Sequence, residues 1–153
     1  MSTHYKGTNT EINALNTYIK LIRCAESLVS RVNLNLNKEG LTESQFAILD
    51  VLLHLGPMCQ KDLGGKILKS GGNITMVVDN LEKQGYVKRE RGKDRRFYTI
   101  LLTDNGKEVI EKIFPKQLAI ILEEMSILTE EEQLELQRLC KQIGLKKKIR
   151  KAI

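Results

Sequence analysis

The sequence predicts a mainly α-helical chain with one small β-hairpin. Apolar residues recur at steps of three and four along most of the 153 residues, the spacing that lines one face of a helix. One stretch departs from this period. Residues 86–91 and 97–103 read as two strands around the charged turn Gly92-Lys93-Asp94-Arg95. Two capping-box pairs, Thr42 with Gln45 and Thr129 with Glu132, mark where helices begin.

The elements follow in order. Ile12, Leu15, Ile19 and Ile22, continued by Ala25, Val29, Val32 and Leu36, predict a long amphipathic helix ending near Gly40. Thr42 opens a second helix with Phe46, Leu49, Leu52 and Leu53 on one face, and Gly56-Pro57 stops it. A short helix is expected over residues 60–68, with Leu63, Ile67 and Leu68 apolar. Gly64-Gly65 weakens it by about 1 kcal/mol per glycine relative to alanine. Ile74, Val77, Val78 and Leu81 form a complete apolar stripe, with Asn73, Thr75, Met76, Asp79, Asn80 and Lys83 opposite and Gly85 at the end. After the hairpin, Val109, Ile110, Ile113, Leu118, Ile121 and Met125 predict a helix from Asp104 that Pro115 should kink or split. The last helix starts at Thr129 and is expected to turn Leu136, Leu139, Cys140 and Ile143 inward.

Three helices, the third with a polar face, followed by a basic hairpin match a winged helix-turn-helix. In that arrangement the polar-faced helix enters the DNA major groove. Asn can pair with adenine, and Thr or Met can touch a thymine methyl, so Asn73, Thr75, Met76 and Asn80 suit base reading. An ordinary exposed helix face is the alternative, and the adjoining charge argues against it. The net charge is +6, and from Lys83 to Arg96 seven basic residues face only Glu90 and Asp94. A second basic cluster, Lys146 to Lys151, reads as a solvated helix end, with an extra DNA or membrane contact as the alternative.

The stretch RERGKDRRFYTILLT from Arg89 to Thr103, followed by Asp104-Asn105-Gly106, resembles the MarR-type transcription regulators. So does ITMVVDNLEKQGYVKR, from Ile74 to Arg89. That resemblance implies wing-tip arginines in the minor groove, here Arg95 and Arg96, with Asp94 orienting one of them. It places Arg89 at the wing base, contacting phosphate or bracing Asp94. Lys88, Arg91 and Lys93 complete the expected basic contacts. Gly71-Gly72 stand where many members carry a polar side chain, which moves base reading toward Ser70, Asn73, Thr75 and Met76. Ile113-Phe114-Pro115-Lys116 is similar to a subgroup that answers quinone-like or phenolic compounds.

The whole chain, residues 1–153, is therefore expected to be one MarR-like domain. Residues 42–103 would be the DNA-binding lobe, and residues 10–39 and 104–150 the dimerisation helices. The expected partners are double-stranded DNA, a second copy of the chain, and a small aromatic effector. The resemblance puts that effector in a cleft that Tyr18, Ile22, Phe46, Leu49 and Leu53 could line, although each also suits a core. A second route for a signal is thiol chemistry at Cys59, beside Lys61 at a helix start, or at Cys24 beside Arg23. Cys140 is expected to be inert core.

Other classes lose ground. There is no phosphate-binding loop, no G-x-G-x-x-G, no G-x-S-x-G and no His/Cys metal spacing, so no enzyme, cofactor or metal is expected. No apolar run approaches a membrane span, and the polar start lacks a signal core, which predicts a cytoplasmic protein. A winged helix used for protein contact without DNA is the rival of another class. It would not need the wing-tip arginines.

Overall fold

The computed structural model describes residues 2–67, 73–94 and 96–146. Its elements are α1 (Asn9–Lys38), α2 (Glu43–Leu55), β1 (Met58–Cys59), α3 (Gln60–Lys66), α4 (Ile74–Lys83), β2 (Val87–Arg91), β3 (Tyr98–Leu102), α5 (Asp104–Met125) and α6 (Glu130–Leu145). The chain is mainly helical with a small antiparallel sheet, the winged helix-turn-helix expected from the sequence. The described residues form two compact units, one ending at Gln117 and one beginning at Leu118.

Local sequence accounts for the helix ends in the first unit. Capping boxes at Thr8/Glu11 and Thr42/Gln45 start α1 and α2. Two helices end alike. Leu41 N–H donates to the Leu36 carbonyl (3.0 Å) after α1, and Tyr86 N–H to the Leu81 carbonyl (2.9 Å) after α4. In each the intervening glycine, Gly40 or Gly85, takes a positive φ that an L side chain resists. The buried pair Leu36 and Leu41 then joins one apolar cluster with Ile48, Leu49, Leu52, Leu63, Val78, Leu81, Val87, Ile100, Ile110 and Ile113. Gln117 is buried at the same level, but its amide donates to the Val32 carbonyl (2.9 Å) and accepts from Asn35 (3.3 Å). A buried amide satisfied in this way avoids its desolvation cost and fixes α5 to the end of α1.

Four expectations need correction. The sheet has a third strand, β1, paired with β3 through Met58↔Ile100 and Cys59↔Thr99. Two residues are too few to show a period. The third helix stops at Lys66 because Ile67 is already extended, and Leu68 lies outside the described residues. Pro115 does not split α5, which is helical on both sides of it. The ring removes one N–H from the ladder, while buried Ile110, Ile113 and Gln117 hold the flanking turns. Finally, Leu136, Leu139, Cys140 and Ile143 do not face inward. All four are exposed in the second unit.

Gly106 is required where the chain leaves the wing after Leu102-Thr103. The Thr103 hydroxyl donates to the Gly85 carbonyl (2.5 Å) and accepts from Gly106 N–H (3.0 Å), capping α5. Thr103 N–H also donates to the Tyr86 carbonyl (3.1 Å). This stitches the first turn of α5 onto the backbone that leaves α4. A Cβ on Gly106 would collide with the Tyr86 carbonyl, which is backbone and cannot rotate away. Gly106→Ala should therefore destabilise the fold by about 2–3 kcal/mol, measured as a lower urea midpoint at unchanged slope.

Candidate nucleic-acid interface

The interface is built from α4, the β2–β3 hairpin, and one side chain of α3. Asn73 caps α4: its Oδ1 accepts from Met76 N–H at 3.1 Å. Among the described residues its NH2 group has no partner. The Thr75 hydroxyl accepts from Gln60 Nε2 at 2.9 Å, so Thr75 is held in one orientation by the start of α3. Met76 and Asn80 are exposed. Asn73 and Thr75 are thus uncharged polar side chains held by hydrogen bonds, as base-edge contact requires.

Arg89 lies in β2, in the wing. It does not brace Asp94. From β2 its guanidinium reaches back to α4, with Nη2 on Asp79 Oδ1 (2.5 Å) and Nη1 on Glu82 Oε1 (3.1 Å). Its backbone N–H donates to the other Glu82 oxygen (3.1 Å), and Nη2 also approaches the Thr75 carbonyl (3.5 Å). Three positions of α4 thus meet one guanidinium. The side chain is only 17% exposed, against about half for its two carboxylate partners. Its charge is spent on tying wing to helix.

The hairpin carries its charge outward. β2 and β3 pair from Val87↔Leu102 to Arg91↔Tyr98. Asp94 and Arg96 close the tip with a two-pronged ion pair: Nε to Oδ1 at 3.1 Å and Nη2 to Oδ2 at 3.0 Å. Arg96 N–H donates to the same carboxylate (3.1 Å). The Arg96 side chain, then its backbone N–H, hold the Asp94 carboxyl below its ordinary pKa. The pair therefore persists at neutral pH and is lost only as pH falls through that depressed value. The Arg96 side chain remains 82% exposed, so a fixed cation is presented to solvent. Lys88 pairs with Glu90 (3.0 Å), and Lys88, Arg91 and Lys93 are exposed. Ser70 and Arg95 lie outside the described residues.

The five expected effector-lining residues differ in exposure. Leu49 is fully buried, with Phe46 and Leu53 packed half-buried against the same core. Tyr18 and Ile22 instead line a groove of about 420 Å³ along α1, with His4, Ile19, Arg23 and Glu26. Cys24 is exposed and Cys59 half-buried. Sequence reasoning missed Gln60, and missed Asp79 and Glu82 as the partners of Arg89. The i, i+3 spacing of those two acids on α4 was the available signal.

A helix-turn-helix whose polar helix is clamped to a basic wing defines a DNA-binding transcription regulator. The comparisons make this specific. Residues 41–97 match the MarR family model. The HTH-type transcriptional regulator MhqR of Bacillus subtilis is 35% identical over 88% of this chain and 94% of its own. The chain belongs to the MarR family, whose members are transcription regulators and not enzymes. Among solved structures, AbsC, a MarR family transcriptional regulator from Streptomyces coelicolor, superposes with a TM-score of 0.77 at 26% identity, covering 92% of this chain and 95% of that one. NadR in complex with 4-hydroxyphenylacetate gives a TM-score of 0.67 at 25% identity, covering 94% and 97%.

Replacing Arg89 by alanine leaves Asp79 and Glu82 facing each other without a cation. A loss of about 1–2 kcal/mol in unfolding free energy is expected. Arg89→Lys should restore little of it, because one ammonium cannot span both carboxylates. Urea unfolding of the three proteins checks this.

Proposed function

We propose that this protein is a homodimeric repressor of a near-palindromic DNA site, released by a small phenolic or other aromatic ligand. The observation that carries the DNA reading is the exposed Arg96, paired with Asp94, in a wing tied to the α4 helix that carries the hydrogen-bonded Asn73 and Thr75. In this reading α4 lies in the major groove with Asn73, Thr75, Met76 and Asn80 toward the bases, and Ser70 belongs with them. Arg96 and Arg95 enter the adjacent minor groove, where A·T-rich sequence attracts arginine. Lys88, Arg91 and Lys93 neutralise phosphates, and Arg89 acts from behind by holding the wing in place.

Uncovered apolar side chains support a second copy as partner. Leu15, Ile22 and Val29 follow one another at helical spacing on α1, and all are exposed. In the second unit so are Leu118, Ile121, Leu122, Leu134, Leu136, Leu139 and Ile143. Helical stripes of this kind on residues 10–39 and 104–150 suit dimerisation. The aromatic complex of NadR supports the class of effector, and Tyr18 and Ile22 keep their place in it through the α1 groove. No described helix is long and apolar enough to cross a membrane, in keeping with a cytoplasmic site of action.

Selection from random duplexes at two salt concentrations should recover a palindromic site whose affinity falls steeply with salt. On that site Arg96→Ala should weaken binding by about 5- to 100-fold, most on A·T-rich flanks. Lys88→Ala should weaken all sequences alike. Binding indifferent to both changes would hand the lead to a protein-contact role. The accessible Cys24 and the half-buried Cys59 favour a second reading, release by thiol oxidation or electrophile addition. Under it a Cys24→Ser, Cys59→Ser double variant should stay on DNA when a quinone is added, and normal release would exclude it.

A further inference from the structure

Gln60 is the first residue of α3, and Gly64 lies one turn on along the same face. The two helices are close there: a Cβ on Gly64 would already touch Ile74 Cγ1 (3.4 Å). That approach brings the half-buried Gln60 up to the exposed Thr75, one residue beyond Ile74. Gln60 Nε2 donates to Thr75 Oγ1 at 2.9 Å. The main chain is held at the same residue, because the Thr75 carbonyl lies 3.5 Å from Arg89 Nη2. A threonine hydroxyl carries one proton and two lone pairs, so a free one can serve a base edge either as donor or as acceptor. At Thr75 one lone pair is already occupied. A hydroxyl that accepts is polarised into a stronger donor, and among the described residues its own proton has no acceptor.

We propose that Gln60 is a positioning residue for base selection. It presents Thr75 as a hydrogen-bond donor, so Thr75 selects a base whose major-groove edge offers an acceptor, guanine or thymine, over cytosine, whose edge offers an amino donor. Gln60 itself touches no base; it acts through Thr75. This role rests on the DNA reading above and deepens it. It also makes a sharp demand of Gln60→Glu, which keeps the length of the side chain. A carboxylate only accepts, so the Thr75 proton would turn to it and Oγ1 would face the base with lone pairs alone. The preferred base should then be one that carries an amino group, cytosine or adenine.

The experiment starts from the site that the full-length protein selects from random duplexes. Thr75→Val keeps the shape and removes the hydroxyl, so the position whose base preference it flattens is the one Thr75 reads. Anisotropy titrations against duplexes carrying each of the four bases at that position then compare the variants at one salt concentration. Only ratios of affinity are read, so a charge that weakens all four duplexes alike cancels. The wild type should favour guanine or thymine over cytosine by about fivefold, the worth of one hydrogen bond. Gln60→Leu should bring that ratio close to one, and Gln60→Glu should reverse it. In a Thr75→Val background neither change should alter it further. A ratio unmoved by both Gln60 variants would overturn the role, and so would a Thr75→Val that flattens no position. An effect of Gln60→Leu that survives in Thr75→Val would do the same, because Gln60 would then meet the base itself. So would an equal loss of preference at every position, the mark of a loosened fold. A wild type that selects no site at all would instead overturn the DNA reading, and this role with it.

Discussion

The ion pairs of Arg89 with Asp79 and Glu82 are the contact on which the rest of the interface depends. A recognition helix of ten residues is short, and a two-stranded hairpin is marginal when isolated. Each gains its orientation from the other. Arg89 reaches α4 at positions 75, 79 and 82, so one side chain fixes both how the helix is rolled and how far the wing stands from it. Two further contacts brace the frame. Gln60 sets Thr75 from the α3 side, and Thr103 ties the wing's exit to the Gly85 carbonyl. Arg89 is mostly shielded and paired twice, so its attraction to two carboxylates is less screened than that of a surface pair.

Charge is distributed accordingly. At the wing base the arginine is neutralised and turned into structure. At the tip Arg96 is held by a single carboxylate yet stays open to solvent. A lone flexible cation would lose side-chain freedom on meeting a phosphate or a groove, a cost of up to about 2 kcal/mol. Asp94 imposes part of that order beforehand, at the expense of some net charge. The sequence pattern Asp-x-Arg across a turn is enough to build the device. Its carboxylate and guanidinium lie two residues apart, and the turn closes through Phe97 N–H on the Asp94 carbonyl (3.1 Å).

Elements whose signals are local were legible. The stripe Ile74, Val77, Val78 and Leu81 defined α4 and its buried side, Thr42 and Gln45 defined the start of α2, and Gly40 and Gly85 defined two helix ends. The hairpin was legible because its turn composition interrupts the helical period. What was hidden is long-range. The two residues of β1 become a strand only because Ile100 and Thr99 lie beside them. The partner of Arg89 could not be read from Arg89, since Asp79, Glu82 and Asp94 were all within reach in sequence. Leu136, Leu139 and Ile143 form an apolar stripe at helical spacing, and such a stripe says that something covers it without saying whether the cover belongs to the same chain. The same ambiguity separated Leu49, sealed in the core, from Tyr18 and Ile22, which are open.

That uncovered stripe bears on how a protein of this size could choose a site in DNA. Ten residues of α4 extend about 15 Å, so one helix meets only some four base pairs at about 3.4 Å of duplex axis each. Each mismatched pair costs roughly 1–3 kcal/mol. A four-base-pair word also recurs on the order of once in every few hundred base pairs, so by itself it cannot mark one site in a genome. Two copies of α4 held at a fixed separation double the number of positions read without adding any new kind of contact. A second copy seated on the apolar side chains of α1, α5 and α6 would bury surface that water otherwise disfavours and, by its two-fold symmetry, would set that separation. Under the proposed dimer, burial of the apolar stripe and the reading of a palindrome would both follow from the pairing of two copies.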